Sequence, residues 1–179
     1  MKTVLRNYIK TFKGLSPEVW WLSLITFVNR FGAMVIPFLS LYLKEDLEFT
    51  KPMIGWVMTA YGFGSLAGSW LGGKLVDKIG YYKTILYSLL FTGINFLWVM
   101  HIQNFWGICL SFFILITLAD MGRPGFFVAL NAYSKPENKT RSLTLLRLAI
   151  NLGMGAGPAI GGMIIASIGY DYLLSLIHI

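Results

Sequence analysis

Residues 72–83, GGKLVDKIGYYK, hold one Asp, three Lys and three Gly between two strongly apolar runs. Of the chain's 179 residues, 56% are hydrophobic and only 13% are charged. A soluble domain of this size carries about 25% charged residues. So few charges cannot cover a water-facing surface, so lipid is the expected solvent for most of the chain. The cluster at 72–83 is then a polar interruption between two membrane crossings, and its lysines should report which side of the membrane it faces.

Five segments are long and apolar enough to be read as spans, at about 19–43, 53–75, 84–102, 106–132 and 143–168. A bilayer core of about 30 Å needs about 20 helical residues. Ser16, Pro17 and Glu18 suit the start of the first span, as cap, first helical residue and dipole complement. Ahead of it, residues 1–15 fit two readings, an amphipathic helix on the cytoplasmic membrane surface or a disordered basic tail.

Loop charge alternates along the chain. The N-terminal segment is basic, KEDLEFTK is acidic, 72–83 is basic, HIQN has no Lys or Arg, and SKPENKTR is basic. Basic loops mark the cytoplasmic face. The N-terminus and the 72–83 loop are therefore expected in the cytoplasm, in a multi-pass protein of the cell membrane. The sequon at Asn138 falls on the same side and reads as chance. Trp20, Trp21, Tyr42 and Trp106 near span ends suit interfacial anchors.

Two spans carry glycine rows. Ala60, Gly64, Gly68 and Gly72 lie four apart, as do Gly153, Gly157 and Gly161, with Pro158 and Gly162 beside the second row. Small residues at that spacing leave a bare stripe against which a neighbouring helix can pack closely. Static packing and a sliding face both fit.

Arg30, Asp120, Arg123 and Arg147 fall inside spans. A charge at the bilayer centre costs at least a few kcal/mol, so it should face the bundle and pair. Asp120 and Arg123 are three apart and share a helix face. They fit a structural ion pair, or a proton or substrate site in which a moving cation changes a carboxylate's hold on its proton. Arg30 is in excess over the single acid and could attract an anionic substrate. Arg147 can snorkel to the cytoplasmic surface.

The net charge of +7 forms no stripe, which argues against a nucleic-acid partner. The single Cys109 and two isolated His offer no disulfide framework, thiolate cluster or metal site. No phosphate-binding loop, H-E-x-x-H, C-x-x-C or G-x-S-x-G is present. No cleavable signal is apparent. No enzyme activity and no cofactor are expected.

With these features in place, 72–83 resembles the loop between helices 2 and 3 of major facilitator superfamily transporters, G-x-x-x-D-[RK]-x-G-x-[RK]-[RK]. Gly73, Asp77, Lys78, Gly80 and Lys83 match, and Tyr82 stands where a basic residue is usual. GMGAGPAIGG (153–162) is similar to the tail of the antiporter motif, matched by Gly153, Gly157, Pro158, Gly161 and Gly162. Thr144 replaces the glycine expected nine residues earlier. Arg141 fits the usual Arg of the helix 4–5 loop, while Ser134 stands where an acid is common. The Arg usual in helix 4 of antiporters falls near Ile114, and Arg123 from a deeper turn is the available substitute.

The resemblance implies an all-α membrane protein, with five helices of a six-helix N-terminal half belonging to a twelve-helix fold. It implies substrate at the midplane between two halves, so the C-terminal half of the same polypeptide is an expected partner, with protons and a small molecule. It further implies proton-coupled efflux of drug-like or metabolite molecules by alternating access, with Asp77 as a gate. Uptake of an anionic metabolite or small peptide, and a non-transporting or inactive fragment, are the alternatives. The transmembrane bundle is expected over 16–173. LSLIHI (174–179) back-translates to a transposase end sequence used in sequencing libraries, and reads as a sequencing artefact.

Overall fold

The computed structural model describes residue 12 and residues 14–32, 35–99 and 101–168. Residues 1–11 and 13 of the expected surface segment, and the 174–179 ending, lie outside the described residues. Every described element is helical. The order is α1 (Pro17–Gly32), α2 (Val35–Glu45), α3 (Lys51–Ile79), α4 (Tyr81–Val99), α5 (Phe105–Met121), α6 (Arg123–Tyr133), a 3₁₀ turn (Pro136–Asn138) and α7 (Lys139–Ile168). The chain forms two compact units, residues 1–34 with 128–162 and residues 35–127 with 163–179.

In the first unit, α1 begins where Pro17 and Glu18 predict, and the amides of Val19 and Trp20 donate to the Ser16 carbonyl at 3.1 and 3.4 Å. The Ser16 hydroxyl does not cap. It donates instead to the Tyr133 carbonyl at 3.0 Å, while Asn138 Nδ2 donates to the Gly14 carbonyl at 3.1 Å. These bonds tie the approach to α1 to the turn before α7. Ser23 and Thr26 on the buried face of α1 return their hydroxyls to the carbonyls of Val19 and Leu22. They can then be buried without leaving a polar group unpaired.

The second unit is built on α3, α4 and α5. Gly80 alone makes the turn between α3 and α4: its φ is 83°, a conformation natural to glycine, and its amide closes α3 on the Val76 carbonyl at 3.0 Å. A one-residue turn sends α4 back antiparallel to α3. A Cβ at Gly64, Gly68 or Gly72 would run into the backbone of Phe113, Thr117 or Met121, respectively. Both sets advance four residues at a time in the same direction, so α3 and α5 lie parallel with bare backbones in contact. Two parallel helices joined in sequence through an antiparallel one is an arrangement compatible with alternating loop charge.

One end of this unit is an apolar core of Leu39, Leu43, Phe49, Val57, Ile108, Phe112 and Leu115, closed by an edge-to-face contact of Phe49 on Phe105. Further along the α3–α5 seam Gly64, Gly68, Gly72 and Asp120 are buried beside Ile116 and Met121. Outside, Leu66, Trp70, Trp98 and Trp106 are exposed. Large apolar side chains outside, with small residues and a carboxylate along the helix seam, fit a lipid solvent.

Three expectations are redrawn by this structure. The 72–83 stretch is not an extended loop, since α3 continues through Asp77 and Lys78 to Ile79 and the turn is Gly80. Charges at an exposed helix end need no break, and Gly73 stays helical with nothing within 4 Å of an added Cβ. The fourth span is divided at Gly122, because Pro124 has no amide to donate to the Asp120 carbonyl four residues back. The Gly122 amide turns to that carbonyl instead. Arg141, expected in a loop, lies in the first turn of α7. Phe105–Tyr133 and Pro136–Met163 are each long and apolar enough to cross a membrane. Taken singly, α1 and α2 are short, with 16 and 11 residues, and Gly, Ser, Trp and Tyr dilute the apolar character of α3 and α4.

A buried carboxylate at the seam of three helices

Asp120 is the penultimate residue of α5, with a side chain 4% exposed, while the Arg123 side chain beyond the break is 44% exposed. The pair expected from i, i+3 spacing is present: Arg123 NH2 donates to Asp120 Oδ1 at 2.6 Å. The second oxygen, Oδ2, accepts from the Ser65 hydroxyl of α3 in a short hydrogen bond. Both carboxylate oxygens thus have donors from different directions, as a buried charge requires.

Ser65 reaches the carboxylate because its neighbours Gly64 and Gly68 let α3 lie on α5. The same contact is fastened one turn away by Thr117, whose hydroxyl is 3.1 Å from the Gly64 carbonyl and 2.7 Å from that of Phe113. From α4, Ser88 Oγ donates to the carbonyls of Leu118 and Ala119 at 2.7 and 3.3 Å, at the turn where the break disturbs the α5 ladder. Gly122 is needed there, since a Cβ would sit 2.7 Å from Ser88 Oγ. A row of Thr84, Ser88, Thr92 and Asn95 continues along α4, and Thr92 Oγ1 and Asn95 Oδ1 are buried without a hydrogen-bond partner among the described residues.

The other residues singled out from sequence fall elsewhere. Arg30 belongs to the first unit, where α1 meets the α7 glycine row. A Cβ at Gly153 would lie 2.8 Å from both Arg30 Cβ and the Phe27 carbonyl oxygen. Gly157 and Gly161 are buried in the same row, and Pro158 interrupts the ladder inside α7. Arg141 and Arg147 are exposed. Asp77, Lys78 and Lys83 are exposed at the α3–α4 turn, where Lys74 Nζ lies 3.7 Å over the Trp70 ring. Asp77 occupies the last turn of α3, the end of a helix that disfavours an anion, so its local helix does not account for it. No His, Cys, Asp or Glu cluster among the described residues could hold a metal.

Ser65 and Ser88 are the site residues that sequence reasoning missed. Their partners are 55 and 30 residues away. The available signals were a serine set between two glycines of the row, and a hydroxyl repeat at every fourth position of α4.

Comparison with known proteins extends over most of the chain. The family model of the Major Facilitator Superfamily matches residues 22–177. The multi-drug resistance efflux pump PmrA homolog of Lactococcus lactis is 28% identical over 149 residues, 81% of this chain and 37% of the relative. The quinolone resistance protein NorA of Staphylococcus aureus is 33% identical over 130 residues, 72% of this chain and 33% of the relative. The uncharacterized MFS-type transporter YttB of Bacillus subtilis is 27% identical over 151 residues, 82% of this chain and 37% of the relative. The chain therefore spans 33% to 37% of the length of these relatives.

Proposed function

The chain belongs to the Major Facilitator Superfamily, and on that premise we propose that it is most of the N-terminal half of a secondary transporter that exports small molecules by proton-coupled alternating access. In this reading five spans, at about 19–43, 53–75, 84–102, 106–132 and 143–168, cross the cell membrane, with the N-terminus in the cytoplasm. The remaining half of the transporter supplies the second wall of the substrate path. The efflux pumps among the relatives support export of drug-like molecules.

The observation that carries the proposal is the Asp120 carboxylate, buried at the α3–α5 seam and shared between Ser65 and Arg123. A carboxylate so placed can hold or release a proton as its cation approaches or withdraws. Arg123 is more open than its partner and can swing on the far side of the Gly122–Pro124 break. In the complete protein reconstituted in liposomes, Asp120→Asn is expected to abolish transport driven by a pH gradient while substrate exchange persists. Proton dependence identical to wild type would remove Asp120 from the mechanism.

Asp77 acts in the same scheme as a gate at the cytoplasmic end of α3, closing onto a helix N-terminus of the other half, where an anion is favoured. Asp77→Asn is expected to slow transport at least several-fold with normal expression. A wild-type rate would discard the gate. The open face of Arg123 also favours an anionic substrate taken up from outside, and the direction of movement under an imposed gradient separates the two readings.

A further inference from the structure

We propose that Ser65 is the positioning residue that lets Asp120 change charge inside the bundle, and so sets the pH at which the carboxylate loads its proton. This rests on Asp120 being the proton carrier. The Ser65 hydroxyl is brought to Oδ2 by a different helix, and it is held there by backbone contact at Gly64 and Gly68 rather than by a flexible side chain.

The hydroxyl has two uses. With Asp120 ionised, Ser65 Oγ donates to Oδ2. With a proton on Oδ2, the bond reverses: Oδ2–H donates and Ser65 Oγ accepts. The serine hydrogen then turns to the carbonyl four residues back on α3, that of Tyr61, the usual local acceptor for a helical serine. Ser23, Thr26, Thr59, Thr84, Thr117 and Thr144 all make that back-bond in this chain. No buried donor or acceptor is stranded in either state, whereas an alanine would leave Oδ2 without its donor in the charged state.

The surroundings make Ser65 decisive. Arg123 is the charged group that meets Asp120. From α3 come Ser65 with the bare Gly64 and Gly68, and from α4 comes Ser88 at the adjoining carbonyls. Lys74, Asp77 and Lys78 on α3 and Lys83 on α4 are exposed, and Tyr61 and Tyr81 are half-buried. Removing the group that serves both forms of the carboxylate alters the balance between them.

The test is an infrared titration of the complete protein in liposomes, following the carboxylic-acid C=O band that Asp120→Asn abolishes. Ser65→Ala is expected to displace its midpoint by about one pH unit, and Ser65→Thr, which keeps the hydroxyl, to restore it. Should Ser65→Ala not insert, Ser65→Cys keeps the volume, weakens the donor and must shift the midpoint the same way. A purely structural serine would lower stability and leave the midpoint in place, and that result overturns the proposal. The absence of any Asn-sensitive band in the wild type would instead overturn Asp120 as the proton carrier, and the role of Ser65 with it.

Discussion

The two glycine rows are alike in sequence and different in use. Along α3, Gly64, Gly68 and Gly72 lie directly on the backbone of α5, and the contact is fastened by Thr117 and by the Ser65–Asp120 bond. Along α7, Gly153 meets the backbone and a Cβ of α1, and the row contains Pro158, whose missing amide leaves the Met154 carbonyl without its helical donor. The first row is a locked register in which polar bonds fix which residues face each other. The second is a close approach beside a weakened helix. A bare stripe alone therefore does not distinguish a weld from a hinge. The hydroxyls and the proline beside it do.

A glycine-to-alanine series would break or sharpen this contrast. Gly68→Ala should have the largest effect, since the new Cβ meets Thr117 backbone atoms that cannot move alone. A loss of about 1–3 kcal/mol is expected for such overpacking, read as a lower unfolding temperature in detergent. Gly153→Ala should cost less, because Pro158 weakens α7 a turn further on and lets it give way beside the new Cβ. Gly62→Ala, with nothing within 4 Å of the added carbon, should be neutral or gain up to about 1 kcal/mol from helix propensity. Equal losses at Gly68 and Gly153 would erase the distinction between the rows.

Thr117→Val tests the zip with a smaller effect. It keeps the volume and removes the bond to the Gly64 carbonyl, and intramembrane hydrogen bonds of this kind are worth about 0.6 kcal/mol. The expected outcome is a small loss of stability together with a change in the rate of the proposed alternating-access switch. A variant indistinguishable from wild type in both would show that glycine contact alone holds the register.

Much of this was legible beforehand. The rows announced close helix contacts because small residues at every fourth position fall on one helix face. The Asp120–Arg123 pair followed from helical pitch. The extent of α3 was misjudged because charged residues were read as loop, although Gly80 alone supplies the conformation a turn needs. The break in the fourth span had a signal in GRPG (122–125), but apolar flanks on both sides masked it. Ser65 and Ser88 had only weak signals, a serine within a glycine row and a hydroxyl repeat along α4, and neither points to a partner 55 or 30 residues away.

By itself the sequence determined the apolar character of the chain, the bare faces of the two glycine rows and the face shared by Asp120 and Arg123. Composition, glycine φ preference and a 3.6-residue repeat act locally. The tertiary structure decided which helix supplies the second donor to Asp120, which glycine row is welded and where the carbonyls of the broken turn find their partner. Those outcomes depend on the register of backbones brought together from distant parts of the chain, and no local pattern encodes that register.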